Sequence, residues 1–279
     1  MIRTGLVGRT ILGSKSPWLH QQEAHAQDLD LTYELIDFTQ RGLHDAELGA
    51  TIRALPEQGF SGVNVTFPFK QAVIPLIDGL AESAERVGAV NTIAIRDGKL
   101  IGHNTDMIGF AQSLASGLPD VAVGHVLQLG AGGAGAAVAI ALLNSGVANL
   151  AIADIDPTRA SALCDRLATV FGVRRASPYS MLELPITRAD GIVNATPLGM
   201  AAHPGAPIDT TLLDARQWVA DIVYFPLETE LLRQARARGC RVLDGSGMVI
   251  AQAAIAFEIM TGHPANLERM RASFLLGLA

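Results

Sequence analysis

The sequence predicts an α/β protein built as two domains. Three observations carry this. Short apolar runs of β-forming residues alternate with helical patterns, as parallel βαβ units require. A glycine-rich turn, Gly130 to Gly135, joins one such run to an alanine-rich helical segment. The chain has 279 residues, 49% hydrophobic and 17% charged. At ~150 residues per domain that is material for about two cores, and it excludes a disordered chain.

The elements follow in order. Met1 to Gly8 reads as a strand and turn, with a helix carrying His20 and His25 after it. Leu31–Ile36 is a strand. Gly42 to Gln58 is predicted helical, because Leu43, Leu48, Ile52 and Leu55 share one face. Gly62–Thr66 is a strand ending near Pro68, and Lys70 to Leu80 is read as helix. Ala89–Ile95 and Leu100–His103 are strands joined by Arg96-Asp97-Gly98-Lys99, where Asp-Gly is a strong hairpin signal. A second pattern follows Asp106. His125–Leu129, Asn149–Asp154, Asp190–Ala195, Trp218–Val223 and Arg241–Asp244 are strands. Ala136–Asn144, Thr158–Phe171, Glu228–Gly239, Met248–Thr261 and Asn266–Leu276 are helices.

Charge and composition narrow the function. A net charge of −6 argues against a nucleic-acid partner, which demands a basic footprint. No apolar run is long and uninterrupted enough for a membrane span, and the first residues lack a secretory signal. Cys164 and Cys240 are too few for a disulfide framework or a four-ligand zinc site and read as core residues. His20 and His25 lack metal-ligand spacing, so no metal is expected. Trp18 and Trp218 read as core or domain-edge anchors, His103 as structural and His203 as a loop residue. A cytoplasmic enzyme, monomeric or homodimeric, is expected.

Gly130-Ala131-Gly132-Gly133-Ala134-Gly135 fits G-x-G-x-x-G, with a strand before it and a helix after it. The first glycine makes the tight turn, the second lets the backbone approach a pyrophosphate, and the third lets helix and strand pack closely. The helix N-terminus offers N–H groups and positive potential to phosphates. The alternative is a glycine turn without a ligand. Asp154 ends the next strand, where a carboxylate accepts from a ribose hydroxyl and repels a 2′-phosphate, which favours NAD over NADP. The alternative for Asp154 is a helix cap or loop carboxylate, although Asp156, before Pro157, fits a cap better. Lys70 and Asp106 are unremarkable on residue type alone: a lone Lys is usually solvated, and an Asp after Thr is usually a cap.

Several segments together resemble the shikimate/quinate dehydrogenase family. They are Ser14-Lys15-Ser16-Pro17, Asn64-Val65-Thr66-Phe67-Pro68-Phe69-Lys70, Gly88-Ala89-Val90-Asn91-Thr92, Asn104-Thr105-Asp106, the glycine turn, Asn194-Ala195-Thr196-Pro197, and Asp244-Gly245-Ser246-Gly247-Met248 with Gln252. The resemblance spans nearly the whole chain, in order. It implies an N-terminal α/β substrate-binding domain (residues 1–105 and 247–279), a Rossmann-like parallel-sheet cofactor domain (106–246), and a C-terminal helix returning to the first domain. It implies Lys70 as the catalytic lysine with Asp106 as its partner. It implies Ser14 and Ser16 as holders of the substrate carboxylate, and Thr66, Asn91, Tyr224 and Gln252 as contacts to the ring hydroxyls or carboxylate. Gly130, Gly132, Gly133, Ala134, Asp154, Arg159, Thr196, Pro197 and Gly199 are then cofactor-binding, with Ile222, Gly245 and Met248 near the nicotinamide.

One departure bears on the cofactor. NADP-using members tend to carry Asn-Arg-Thr-x-x-Arg after the second Rossmann strand, whereas this chain has Asp154-Ile155-Asp156-Pro157-Thr158-Arg159. The resemblance is thus to the NAD-preferring quinate/shikimate dehydrogenases, with NADP the weaker cofactor because Arg159 survives. The expected reaction interconverts shikimate and 3-dehydroshikimate, with quinate and 3-dehydroquinate as a second pair. Lys70 would move the proton while hydride passes to or from the nicotinamide. The rivals are a dehydrogenase of a related polyol acid, such as aminoshikimate or aminoquinate, and a non-catalytic NAD-binding regulator.

Overall fold

The structure is a computed structural model that describes residues 1–173 and 175–277. The chain forms two compact units, Met1–Thr105 with the segment from Ile250 onward, and Asp106–Val249. In chain order the first unit holds β1 (Ile2–Gly8), α1 (Ser16–Ala26), β2 (Leu31–Asp37), α2 (Leu48–Ala54), β3 (Phe60–Val65), β4 (Gly79–Leu80), α3 (Glu82–Val87), β5 (Thr92–Arg96) and β6 (Lys99–His103). The second holds α4 (Asp106–Gly117), β7 (His125–Leu129), α5 (Gly133–Asn144), β8 (Asn149–Ala153), α6 (Pro157–Phe171), β9 (Ala176–Tyr179), β10 (Gly191–Asn194), β11 (Trp218–Asp221), α7 (Glu230–Ala237) and β12 (Arg241–Leu243). The chain closes with α8 (Ser246–Thr261) and α9 (Leu267–Leu276).

The first sheet has the order β2-β1-β3-β5-β6-β4. Its β1 pairs in parallel with β2 and β3, while β5 pairs antiparallel with β3 and β6. Asp97 and Gly98 both take left-handed φ angles, +51° and +76°, which suits a two-residue hairpin between β5 and β6. Val7, Ile36, Val63, Val65 and Ile93 form the core with Ile52 and Leu55. The C-terminal segment belongs to this unit: Trp18 on α1 donates through Nε1 to the Ser273 carbonyl on α9 at 2.7 Å. On the same helix pair, Glu23, whose side chain is wholly buried, accepts from both arms of Arg269 at 2.6 and 2.8 Å.

The second sheet is all parallel in the order β12-β11-β10-β7-β8-β9. This is the doubly wound Rossmann order, whose ligands bind where the strand order reverses, here between β7 and β10. The register aligns the strand ends. Leu129 lies opposite Ala153 and Asn194, and Asn194 lies opposite Asp221. The loops after β7, β8, β10 and β11 therefore leave the sheet at one edge. Helix α5 is apolar all round, and everything from Gly135 to Leu143 is buried, as expected of a helix inside a core. Cys164 and Cys240 are buried, unpaired core residues, and burial pushes the Cys164 thiol up to about 11. Trp218 is fully buried and donates to the Ala122 carbonyl.

Two predicted helices are corrected. Gly42 to Gln58 is helical only in α2, preceded by one 3-10 turn at Asp45–Glu47. Gly42 sits at φ +65°, and Glu47 caps the extended His44 at 2.8 Å, so the helix starts late. Pro56 lacks an N–H to continue it, and Gly59 turns the chain back. Lys70 to Leu80 is a series of turns with a 3-10 turn at Ile74–Leu76, then β4. Pro75 removes the donor that a helix would need there. Its apolar residues are nevertheless core, with Val73 buried and Ile74, Leu76, Ile77 and Leu80 packed beside it.

Candidate active site

In the first unit, the loop after β1 carries Ser14 and leads into Ser16 at the start of α1. Asp37, at the end of β2, holds this loop down. Its buried carboxylate accepts from the N–H groups of Ile11 (2.7 Å), Thr10 (3.0 Å), Thr39 (2.9 Å) and Gln40 (3.3 Å). Burial alone would raise the Asp37 pKa, but these four bonds outweigh it and hold the carboxyl below its usual range. Ser14 Oγ donates to Ser16 Oγ at 3.2 Å.

From Ser16 a chain of neutral polar groups runs into the sheet. Ser16 hydrogen-bonds the phenol of Tyr33, which burial pushes above its usual pKa. Tyr33 donates to Asn64 Oδ1 at 2.8 Å, and Asn64 Nδ2 donates to Thr92 Oγ1 at 3.0 Å. Thr92 donates to Asn91 Oδ1 at 3.1 Å. Asn91 Nδ2 donates to Thr105 Oγ1 at 2.9 Å and to Gln252 Oε1 at 3.2 Å. The structure thus joins Ser14, Ser16, Asn91 and Gln252 in one network. Such groups both donate and accept, which suits a polyhydroxylated ligand, and the serine hydroxyls can also donate to a carboxylate. Thr66 is half-buried beside the network's strand, its N–H on the Val7 carbonyl at 3.0 Å. Lys70 is half-buried, and its carbonyl accepts from Val90 N at 2.7 Å, one residue before Asn91. Below the network lies His20, its ring centroid 4.8 Å from that of Tyr33. Burial lowers the His20 pKa to about 3 against the pull of Glu23, so it stays neutral.

In the second unit, the glycine turn follows β7. Gly130 takes φ +97°, and a Cβ there would lie 2.6 Å from the Ala195 carbonyl oxygen, so the turn abuts the loop after β10. A Cβ on Gly135 would lie 2.3 Å from the Gly130 oxygen, which fits the close-packing role. Gly132 differs: a Cβ there would meet nothing within 4 Å. Gly132, Gly133 and Ala134 thus open α5 with free space outside the second glycine, as a pyrophosphate would need. Gln128 braces the turn from beneath, its Nε2 donating to the Gly130 and Gly135 carbonyls at 2.8 Å each.

Asp154 is half-buried beside this turn. Its Oδ2 accepts from Ala131 N at 2.7 Å and its Oδ1 from Asp156 N at 2.9 Å. Both oxygens keep lone pairs for a further donor. Asp156 caps α6, as its position before Pro157 predicts, through Thr158 N at 3.0 Å. Ile155 is 88% exposed, and Arg159 leans on Asp156 at 3.5 Å. After β10, Asn194 accepts from Thr196 N and Oγ1, Pro197 is exposed, and Gly199 takes φ +104°. Ile222 is half-buried and Met248 buried. A Cβ on Gly245 would lie 2.6 Å from both the Ile222 and Val223 oxygens, so its glycine is explained by packing. Asp106 opens α4 and is buried. Partial burial first, and then the Asp106 charge, raise the Tyr224 phenol pKa, which places these two residues near one another. Among the described residues no group of three His, Cys, Asp or Glu side chains is placed to hold a metal, and no helix is long and apolar enough to cross a membrane.

Residue reasoning alone passed over Asp37, Tyr33, Gln128 and Asp221. Asp37, Gln128 and Asp221 share one signal, an acid or amide ending or interrupting an otherwise apolar strand; Tyr33 offers no such signal.

The geometry agrees with known proteins. Residues 6–93 match the model of the shikimate dehydrogenase substrate binding domain, and residues 245–273 that of the shikimate 5'-dehydrogenase C-terminal domain. The chain is 50% identical to a shikimate dehydrogenase (NADP(+)) of Arthrobacter sp. (strain FB24), over 97% of this chain and 93% of that one. It is 47% identical to a quinate/shikimate dehydrogenase (NAD(+)) of Corynebacterium efficiens, over 98% of each. Among solved structures it is similar to a quinate dehydrogenase from Corynebacterium glutamicum in complex with NAD, with 43% identity, a TM-score of 0.92 and 99% of each chain covered. Identity of this order along the whole length, on a Rossmann-ordered sheet with a glycine turn open at its second glycine, means that the chain belongs to the shikimate dehydrogenase family of nicotinamide-dependent oxidoreductases.

Proposed function

We propose that the chain interconverts shikimate and 3-dehydroshikimate, and quinate and 3-dehydroquinate as a second pair, with NAD preferred over NADP. The observation that carries the substrate class is the neutral network joining Ser14, Ser16, Asn91 and Gln252. Serine hydroxyls suit a carboxylate, and the amides suit ring hydroxyls. A bound nicotinamide supplies the hydride chemistry. Lys70 takes the hydroxyl proton in oxidation and returns it in reduction, with Asp106 as its partner and Thr66 and Tyr224 as further substrate contacts. Lysine suits this work because a positioned acid–base group accelerates the proton step by ~10²–10⁴-fold.

The cofactor preference rests on Asp154. Two backbone N–H groups fix its carboxylate at the rim of the glycine turn, where it accepts from a ribose hydroxyl and repels a phosphate dianion. Ile155 offers no compensating guanidinium. Arg159 opposes the preference, but it is exposed and engaged with Asp156, and releasing it leaves the Asp154 repulsion in place. A steady-state matrix of shikimate and quinate against NAD and NADP tests the whole reading. NAD should exceed NADP in kcat/KM by at least about tenfold, which is ~1.4 kcal/mol. Asp154→Asn should narrow that gap, and adding Ile155→Arg should reverse it. Equal efficiencies at saturating shikimate would overturn the preference, and turnover of neither acid would overturn the substrate class.

A further inference from the structure

Asp221 ends β11 in a wholly buried position, 1% exposed, with no cation among its hydrogen-bond partners. Its Oδ1 accepts from Asn194 Nδ2 at 3.0 Å and from Val223 N at 3.0 Å. Its Oδ2 accepts from Thr229 Oγ1 at 2.8 Å. These donors belong to three different segments. Asn194 ends β10 and itself organises the following loop: Nδ2 also donates to the Leu198 carbonyl at 2.8 Å, and Oδ1 accepts from Thr196 N at 3.0 Å. Val223 begins the loop that carries Tyr224. Thr229 caps α7 through Leu232 N at 3.3 Å. Gly199 fits against the same group, since a Cβ there would lie 3.2 Å from Thr229 Cβ and 3.6 Å from Asp221 Oδ2.

An ionised carboxylate without a cation is costly to bury. What favours it here is that it only accepts, and three donors converge on it. An asparagine would turn an N–H₂ toward one of them. We propose that Asp221 is a positioning residue for the dinucleotide, clamping the loop Thr196–Gly199 and the loop that carries Tyr224 into one arrangement. The proposal rests on the reading of Thr196, Pro197 and Gly199 as cofactor-binding.

The clamp carries a pH signature. Burial, against the three hydrogen bonds, pushes the Asp221 carboxyl up to about 6. The charged groups on the elements packed around it are otherwise engaged: Glu230 with Arg233, Glu228 with Arg236, Arg241 with the Pro119 carbonyl, and Asp244, which follows β12, with the N–H and hydroxyl of Ser246. Strand β10 contributes no charged residue. Protonation places a hydrogen on an oxygen that faces donors, so the clamp loosens as pH falls through that value.

The experiment measures NAD and NADP affinity of the full chain by calorimetry from pH 5 to 8, with melting temperature and the KM for shikimate in parallel. In the wild type, dinucleotide binding should tighten between pH 5 and 7. Asp221→Asn should lose that pH-dependent component and bind about fivefold more weakly at pH 7.5, the size of one hydrogen bond's net contribution. Asp221→Ala should bind more weakly still, and because the clamp also holds the loop that carries Tyr224, the KM for shikimate should rise in both variants by less than the dinucleotide Kd. If Asp221→Ala fails to fold, Asp221→Asn carries the test alone. Folded variants with wild-type affinity, or with the wild-type pH dependence retained, overturn the proposal and leave the cofactor reading standing. A wild type that binds neither dinucleotide overturns both.

Discussion

Gly132→Ala separates folding from cofactor binding. Gly132 has φ −74° and ψ −169°, an extended conformation open to any residue, and a Cβ there meets nothing within 4 Å. The fold therefore accommodates the methyl group. The one local loss is at the N-cap of α5, where alanine is poorer than glycine by up to ~1 kcal/mol, or roughly 2–4 °C in melting temperature. Dinucleotide binding should respond differently. The methyl group enters the space that the pyrophosphate would fill and pushes it off the α5 N–H groups. Each charge-assisted hydrogen bond lost is worth ~1.5–3 kcal/mol, which is about 10- to 150-fold in Kd. Calorimetric titration with NAD, alongside scanning calorimetry, reads both effects. Gly135→Ala is the contrasting control. Its Cβ would lie 2.3 Å from the Gly130 oxygen, so it should lower the melting temperature sharply. A Gly132→Ala protein with wild-type affinity and an unchanged melting temperature would refute the placement of phosphates at this turn.

Further outcomes are expected. Lys70→Ala should lower kcat and kcat/KM together by ~10²–10⁴-fold, and a kcat within about threefold of wild type would remove Lys70 from the proton step. Ser14→Ala and Ser16→Ala should each weaken shikimate binding by ~1.5–3 kcal/mol while leaving NAD affinity nearly unchanged. Equal losses for both ligands in calorimetry would count against a carboxylate role. Glu23→Ala should destabilise the protein by ~1–3 kcal/mol, because it removes the acceptor of the partly exposed Arg269 guanidinium and of Asn266 N, and one of the two acceptors of Gln27. Burial pushes Glu23 up, but those bonds together with the Arg269 charge outweigh it and hold its pKa below the usual 4.5. Its contribution is therefore present above pH 4.5 and is lost as pH falls through the folded value. The melting-temperature gap between wild type and variant should be widest near neutrality and close in acid.

The strands were the most legible part of the sequence, because a buried parallel strand reads as an apolar run with few alternatives. All five strands read from the second half are present, within two residues at each end. The edge strand β9 was missed because Ala176–Tyr179 is short, largely exposed and contains Pro178, which only an edge tolerates. Helix α4 carries no strong sequence signal, although Asp106, Phe110, Ser113 and Leu114 are buried at helical spacing. Helix α3, at six residues, is too short to show a period. The two over-read helices fail for a shared reason. Apolar residues at Leu43, Leu48, Ile52 and Leu55, or at Val73, Ile74, Leu76 and Ile77, are genuine core, but glycine and proline decide the backbone that delivers them. The residues proposed to contact substrate come from the family resemblance alone, since Ser14, Asn91 and Gln252 are joined by groups far apart in sequence.

Asp154 shows where residue reasoning and structure meet. The sequence reads it as either a ribose ligand or a loop carboxylate; its bonds to Ala131 N and Asp156 N make it a loop carboxylate, with lone pairs left over for the proposed ribose contact. Five strand ends share one device. Asp37, Asp154, Asn194, Asp221 and Asp244 each accept, through a side-chain oxygen, from the backbone N–H two residues on: Thr39, Asp156, Thr196, Val223 and Ser246. Such Asx turns mimic a backbone turn and release the chain from the sheet in a fixed direction. One lies in the first unit and four in the second, and Asp37, Asp154 and Asp221 each spend a further lone pair tying down a second segment. Asp154 does so with Ala131, inside the glycine turn itself. Its substitution for a cofactor test must therefore preserve the turn. Asparagine keeps one oxygen for the Asx bond with Asp156 N and removes the charge, but it gives up the tie to Ala131 N, so Asp154→Asn should shift cofactor preference with a smaller loss of melting temperature than a variant that loses both bonds. Alanine removes the Asx bond and the tie to Ala131 together, so Asp154→Ala should weaken NAD and NADP alike. If Asp154→Ala instead changed the NAD to NADP ratio as Asp154→Asn does, with overall affinity intact, the carboxylate would be acting on the ribose alone and its hold on the turn would be dispensable.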